Sequence, residues 1–63
     1  MRFYQAKLLR AIGIVLAELG QSERAAECFE IASRSFATLG MDDMRQDIER
    51  RRALLAVTRQ KDK

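Results

Sequence analysis

Residues 9 to 40 place small and apolar side chains where two helices must touch. Leu9, Ile12, Gly13 and Leu16 come first, then Gly20, then Ala25, Phe29 and Ala32. At 100° per residue the first four share one stripe of a helix, and the last three share one stripe of another. A glycine between two such stripes, with so few residues to turn in, reads as an antiparallel helical hairpin. Zero prolines, three glycines and 48% hydrophobic residues favour helices over strands or disorder.

The punctuation predicts three helices, over about 3–19, 22–39 and 42–58. Gly20 ends the first where a left-handed cap is expected, and Gly40 stops the second. Ser22 is the expected cap of the second helix, with Glu23 in its first turn. Asp42 or Asp43 opens the third, and Asp43 with Gln46 has the spacing of a capping box. Arg50, Arg51, Arg52 and Arg59 suit a helix C-terminus. Residues 1–58 therefore read as a single domain, and 59–63 as a disordered polar tail.

The first helix is apolar over a wide arc. Tyr4, Leu8, Ala11, Val15 and Leu19 extend its stripe well past a third of the circumference, more than one neighbouring helix can cover. The second helix has a tidier face of Ala25, Cys28, Phe29, Ala32, Phe36 and Leu39. The third offers Met41, Met44, Ile48 and Leu55, with Leu54 and Val57 to one side. The first helix is therefore expected between the other two, with Gly13 and Ala32 allowing close approach and Phe29 filling the space between them.

A chain of 63 residues buries only about 60% of the surface its unfolded form exposes. Cys28 is its one cysteine and it has no histidine, so neither a disulfide framework nor a Cys/His metal cluster is available within one chain. Helix packing and oligomerisation are the remaining sources of stability. The apolar run 11–17 is far shorter than the roughly 20 residues a bilayer requires. Arg2 and Lys7 precede that run as in a signal peptide, yet no small-residue cleavage pattern follows. The default location is the cytoplasm. With no histidine base, no glycine-rich phosphate loop and carboxylates spread over polar faces, no enzyme is expected, and neither a cofactor nor a small-molecule substrate. Cys28, beside Phe29 and Ala32, reads as a buried, inert thiol.

Gly13, Gly20, Ala25, Phe29 and Ala32 fall at the signature spacing of the tetratricopeptide repeat, and residues 5–39 resemble one such repeat. Leu9 and Leu16 stand where that family usually has aromatics, and no proline closes the second helix. The run Phe36–Gly40 followed by a new helix resembles the longer-loop variants of the family in bacterial regulators. The chain offers about one and a half units of a kind that does not bury its apolar faces alone. The resemblance implies an all-α protein-binding hairpin with a third, C-terminal helix. It also implies a partner face along the first helix at Phe3, Lys7, Arg10, Ile14, Ala17 and Glu18. Two cations one turn apart there suit a carboxylate or an acidic helix, while Ile14 replaces the amide side chain of acidic-tail binders and makes the face partly apolar. A generic antiparallel three-helix bundle accommodates the same residues.

The net charge is +3, with five basic and four acidic residues over 1–40 and seven and five over 41–63. Arg50, Arg51 and Arg52 point about 100° apart on a helix and form no single patch. Asp47 stands at the favourable spacing of four from Arg51. Arg45, Arg52 and Arg59 make a stripe at steps of seven beside Met41 and Ile48. An interfacial membrane helix is disfavoured because the apolar arcs already have partners in the hairpin, and no membrane partner is expected. Two functional readings remain open. One is a non-catalytic protein-interaction module, self-associating through apolar faces of the first and third helices and serving as scaffold or accessory subunit. The other is a small basic nucleic-acid regulator using the arginine stripe.

Overall fold

The computed structural model describes the backbone of residues 2–61 and the side chains of residues 2–55. The described residues form three α-helices and no strand: α1 (Phe3–Glu18), α2 (Ser22–Thr38) and α3 (Asp42–Lys61). The third helix continues beyond the expected end near residue 58, through part of the segment read as a polar tail; residues 62 and 63 lie outside the described residues.

The two turns are built alike. After α1, Gly20 takes φ +83°, its N–H donates to Ala17 O (3.1 Å), and the Gln21 N–H donates to Leu16 O (2.9 Å). After α2, Gly40 takes φ +74°, its N–H donates to Ala37 O (3.1 Å), and the Met41 N–H donates to Phe36 O (2.8 Å). Both are Schellman caps, which need a left-handed residue and so favour glycine. The helix starts depart from the expected caps. Gln21, not Ser22, occupies the cap position of α2 and makes no side-chain capping bond. The Arg45 N–H bonds Met41 O at 3.1 Å, so Asp42 and Asp43 stand inside the first turn of α3. Their charge there complements the helix dipole.

The helix in the middle is α2. Both α1 and α3 pack closely along it and meet each other less closely, which corrects the expected arrangement with α1 between the others. The reason is shape. The stripe on α2 carries Ala25, Ala32, Ser33 and Ser35 beside two phenylalanines, so neighbours can approach it from two sides. Ala6, Ala25, Phe29, Ala32, Phe36 and Ile48 are buried, with Leu9, Ile14, Leu16, Ala17, Met41, Met44 and Leu55 packed around them. Gly13 is buried against Phe29. Ala6 takes the core place expected of Ile12, which is exposed. Leu39 is exposed too, and Cys28 is half-buried, more open than the enclosed thiol expected.

Ser33 and Ser35 are buried yet satisfied. The Ser33 hydroxyl donates to Glu49 Oε2 at 2.7 Å, joining α2 to α3, and the Ser35 hydroxyl donates to Ile31 O at 3.0 Å. The body is elongated, 37 Å by 17 Å by 12 Å. At about 1.5 Å per residue the 20-residue α3 is longer than the 16-residue α1.

Candidate protein-interaction surface

The outward side of α1 is a row of uncovered apolar groups. Tyr4 (79% exposed), Leu8, Val15 and Leu19 (67%) lie along it, with Ala11 in the row and Ile12 at its edge. Steps of four, three and four place these side chains on one line along the helix, the spacing by which helices pair in coiled coils. The core-facing residues Ala6, Leu9, Gly13, Leu16 and Ala17 occupy the opposite side. The wide apolar arc seen in the sequence is thus split, one part packed on α2 and the other facing solvent.

A second apolar feature lies between the last turns of α1 and residues 51–55 of α3. An open groove of about 340 Å³ is floored by Ile14, Ala17, Phe29 and Leu55 and flanked by Leu54, which is 63% exposed. Glu18, Ser22 and Arg51 supply its polar edge.

The six residues expected to form a single face on α1 are divided among three jobs. Phe3 sets its ring edge-on to Phe36, with centroids 6.2 Å apart and planes at 68°. Lys7 places Nζ 5.3 Å from the centroid of the Phe3 ring, a cation–π contact. Arg10 is bound within the molecule: Nε and Nη2 donate to Asp47 Oδ2 of α3 at 3.1 and 2.9 Å. Ile14, Ala17 and Glu18 line the groove. The groove therefore keeps three of the six, Arg10 serves as an internal tie, and the outer row of α1 lies apart from them.

Asp47 also accepts from Arg51 Nε at 3.3 Å, so two guanidinium groups bracket one carboxylate. The bond from Arg10 is the main influence lowering the Asp47 pKa, followed in the same direction by Arg51 and opposed by partial burial. Glu49 is lowered first by the Ser33 hydroxyl and then by Arg52, again against partial burial.

The expected basic stripe is largely neutralised where it is described. Arg45 lies 3.7 Å from Asp42 and Arg52 3.3 Å from Glu49, while the Arg59 side chain lies outside the described residues. Arg50, Arg51 and Arg52 diverge, with Arg50 exposed and the other two held by separate carboxylates. Among the described residues no group of His, Cys, Asp and Glu could hold a metal ion, and no helix is long and apolar enough to cross a membrane.

The outer row of α1 was visible in the sequence as surplus apolar arc, although periodicity alone did not say which part of the arc would remain uncovered. The α3 side of the groove, Arg51, Leu54 and Leu55, carried no such signal, because it arises from the placing of α3 beside α1, two helices that meet less closely than either meets α2. Compared with known proteins, the chain matches no family model, no curated sequence and no solved structure.

Proposed function

We propose that this chain is a non-catalytic protein-interaction module that self-associates through apolar surface on α1 and α3, as a scaffold or accessory subunit of a helical assembly in the manner of tetratricopeptide-like units. The observation that carries this reading is the row Tyr4, Leu8, Ile12, Val15 and Leu19, all exposed along α1 and its C-cap residue. Isolated exposed leucines are ordinary, whereas a contiguous row on a small domain marks a contact surface.

The magnitudes favour a modest affinity. Half-covering a large apolar side chain is worth roughly 1 kcal/mol. Doing so for this row on two copies offsets an association cost that starts at about 4 kcal/mol. The sum gives a concentration-dependent complex of roughly micromolar strength or weaker. The nucleic-acid alternative is less well supported, because Arg45 and Arg52 already face carboxylates within one turn.

Sedimentation velocity across a concentration series tests the reading. A shift from monomer to a larger species with rising concentration is the expected result, and a monomer at every concentration would overturn it. Salt-sensitive retention on DNA or RNA would move the assignment to the alternative.

A further inference from the structure

Resting on that reading, we infer that the occupant of the outer α1 face is α1 of a second copy, running antiparallel. The first observation is self-complementarity under reversal. Laid against itself in the opposite direction, the row sets Tyr4 opposite Leu19 of the second copy, Leu8 opposite Val15, and Ala11 opposite Ile12. Each exposed apolar group then meets another, and the small Ala11 lies at the middle, where two helices must come closest.

The second observation is electrostatic and independent of the row. Among the three helices α1 alone has no acidic residue in its first turn; α2 carries Glu23 there, and α3 carries Asp42 and Asp43. Arg2 stands at the N-cap of α1 and Lys7 in its second turn, while its last turn holds Glu18 and no basic residue. The charges on α1 thus oppose its own dipole at both ends. An antiparallel neighbour reverses this arrangement. The Arg2 and Lys7 end of one helix meets the Glu18 end of the other, twice by symmetry, and each pole meets its opposite. In the alignment above, Lys7 lies two residues from Glu18 of the second copy along the axis, about 3 Å, within reach of the lysine stem. Lys7 and Glu18 are both exposed. A parallel pairing would hold Lys7 level with Lys7 and Glu18 level with Glu18, and would bring no opposite charges of this pair together.

The interface so formed is two-fold and closes on itself, giving a dimer rather than a fibre. The groove between α1 and α3 is left open in each copy.

Single-cysteine crosslinking tests the orientation. In a Cys28→Ser chain, Tyr4→Cys and Leu19→Cys are prepared separately and oxidised alone and mixed; a disulfide needs Cα atoms within about 7 Å. The mixture is expected to give the mixed disulfide in roughly tenfold excess over either chain joined to itself. Dominant self-joining of Tyr4→Cys and of Leu19→Cys would overturn the antiparallel pairing. A dimer by mass that crosslinks at neither position would remove α1 as the seam and leave self-association to α3. A monomer throughout would overturn both the pairing and the function proposed above. As a second readout, Lys7→Glu is expected to weaken dimerisation about three- to tenfold, and adding Glu18→Lys to restore it; an unchanged dissociation constant in Lys7→Glu would overturn the charge argument.

Discussion

The ring of Phe29 occupies the space a side chain at position 13 would need: a Cβ built on Gly13 comes within 2.6 Å of Phe29 Cε1 and 2.8 Å of Cδ1. Phe29 is 1% exposed and packed among other buried groups, so on every side but that of the groove it has little room to retreat. Two effects compete in Gly13→Ala. Helix propensity favours alanine by about 1 kcal/mol, and overpacking costs about 1–3 kcal/mol. The contact is short enough for overpacking to dominate. Gly13→Ala is expected to lower stability by about 1 kcal/mol in urea denaturation, and Phe29→Leu in the same chain to relieve part of the clash. A more stable Gly13→Ala chain would contradict this packing.

The other two glycines are needed for a different reason. A Cβ at Gly20 or Gly40 would meet nothing within 4 Å, while both residues hold positive φ. The cost of Gly20→Ala or Gly40→Ala is therefore purely conformational, about 1 kcal/mol each. Replacement by D-alanine in a synthetic chain is expected to raise stability by about 0.4–1 kcal/mol instead, by restricting the unfolded chain. Thermal melts of the L- and D-alanine versions give opposite signs if the caps are as described.

Asp47 and Glu49 are expected to make the fold acid-sensitive. Both carboxyls are lowered from their ordinary values of 3.8 and 4.5. A depressed carboxyl contributes stability that is present above its unfolded value and lost as pH falls through its folded value. Stability should thus hold from neutral pH down to about 5 and decline below about 4.5. The Asp47 side chain is 34% exposed, so solvent screening limits its share to about 1 kcal/mol or less. Asp47→Asn is expected to flatten part of the acid decline and to weaken the tie between α1 and α3. Denaturation curves at pH 7 and pH 3 provide the comparison; an equally steep decline in Asp47→Asn would assign the sensitivity elsewhere.

Ser33 is the buried polar link between α2 and α3, its hydroxyl 2.7 Å from Glu49 Oε2. Ser33→Ala removes a charge-assisted bond while Glu49 stays exposed enough to recover water, so the loss should be about 1 kcal/mol rather than the larger cost of stranding a buried charge. Amide exchange is expected to quicken along α3 more than along α1. Uniform quickening would mean that α3 does not open independently.

The parts of this fold that could be read from residues were those governed by local rules. Gly20 and Gly40 marked both turns because a left-handed cap is a requirement on one residue. The approach of Gly13 to Phe29 was legible because a glycine facing a large ring on a neighbouring helix has few other uses. The order of helices was harder. Leucines, isoleucines and valines surround so much of α1 that its apolar pattern selects no single side, and the burial of Ala6 in place of Ile12 follows from the shape of α2. Arg10 looked available to a partner because its own partner, Asp47, lies 37 residues away. Long-range ion pairs leave no mark on sequence spacing, whereas Asp47 and Arg51, four residues apart, were expected together and are found together.

The outer row of α1 separates folding from association in a way few positions here do. Leu8 and Val15 are more than half exposed and lie outside the core cluster. Exchanging each for a polar residue of good helix propensity removes apolar area without opening a cavity, so the fold of the single chain should change by less than about 0.5 kcal/mol. Association depends on that same area. Leu8→Gln with Val15→Gln is expected to leave far-ultraviolet circular dichroism at high dilution unchanged while raising the dissociation constant tenfold or more, equivalent to about 1.4 kcal/mol. Melting temperature adds a second check, because it rises with protein concentration only when the folded state associates. The unsubstituted chain should show that rise and the doubly substituted chain should not. Loss of helicity in the dilute variant would mean that these two side chains support the hairpin itself, and the row would then belong to the fold.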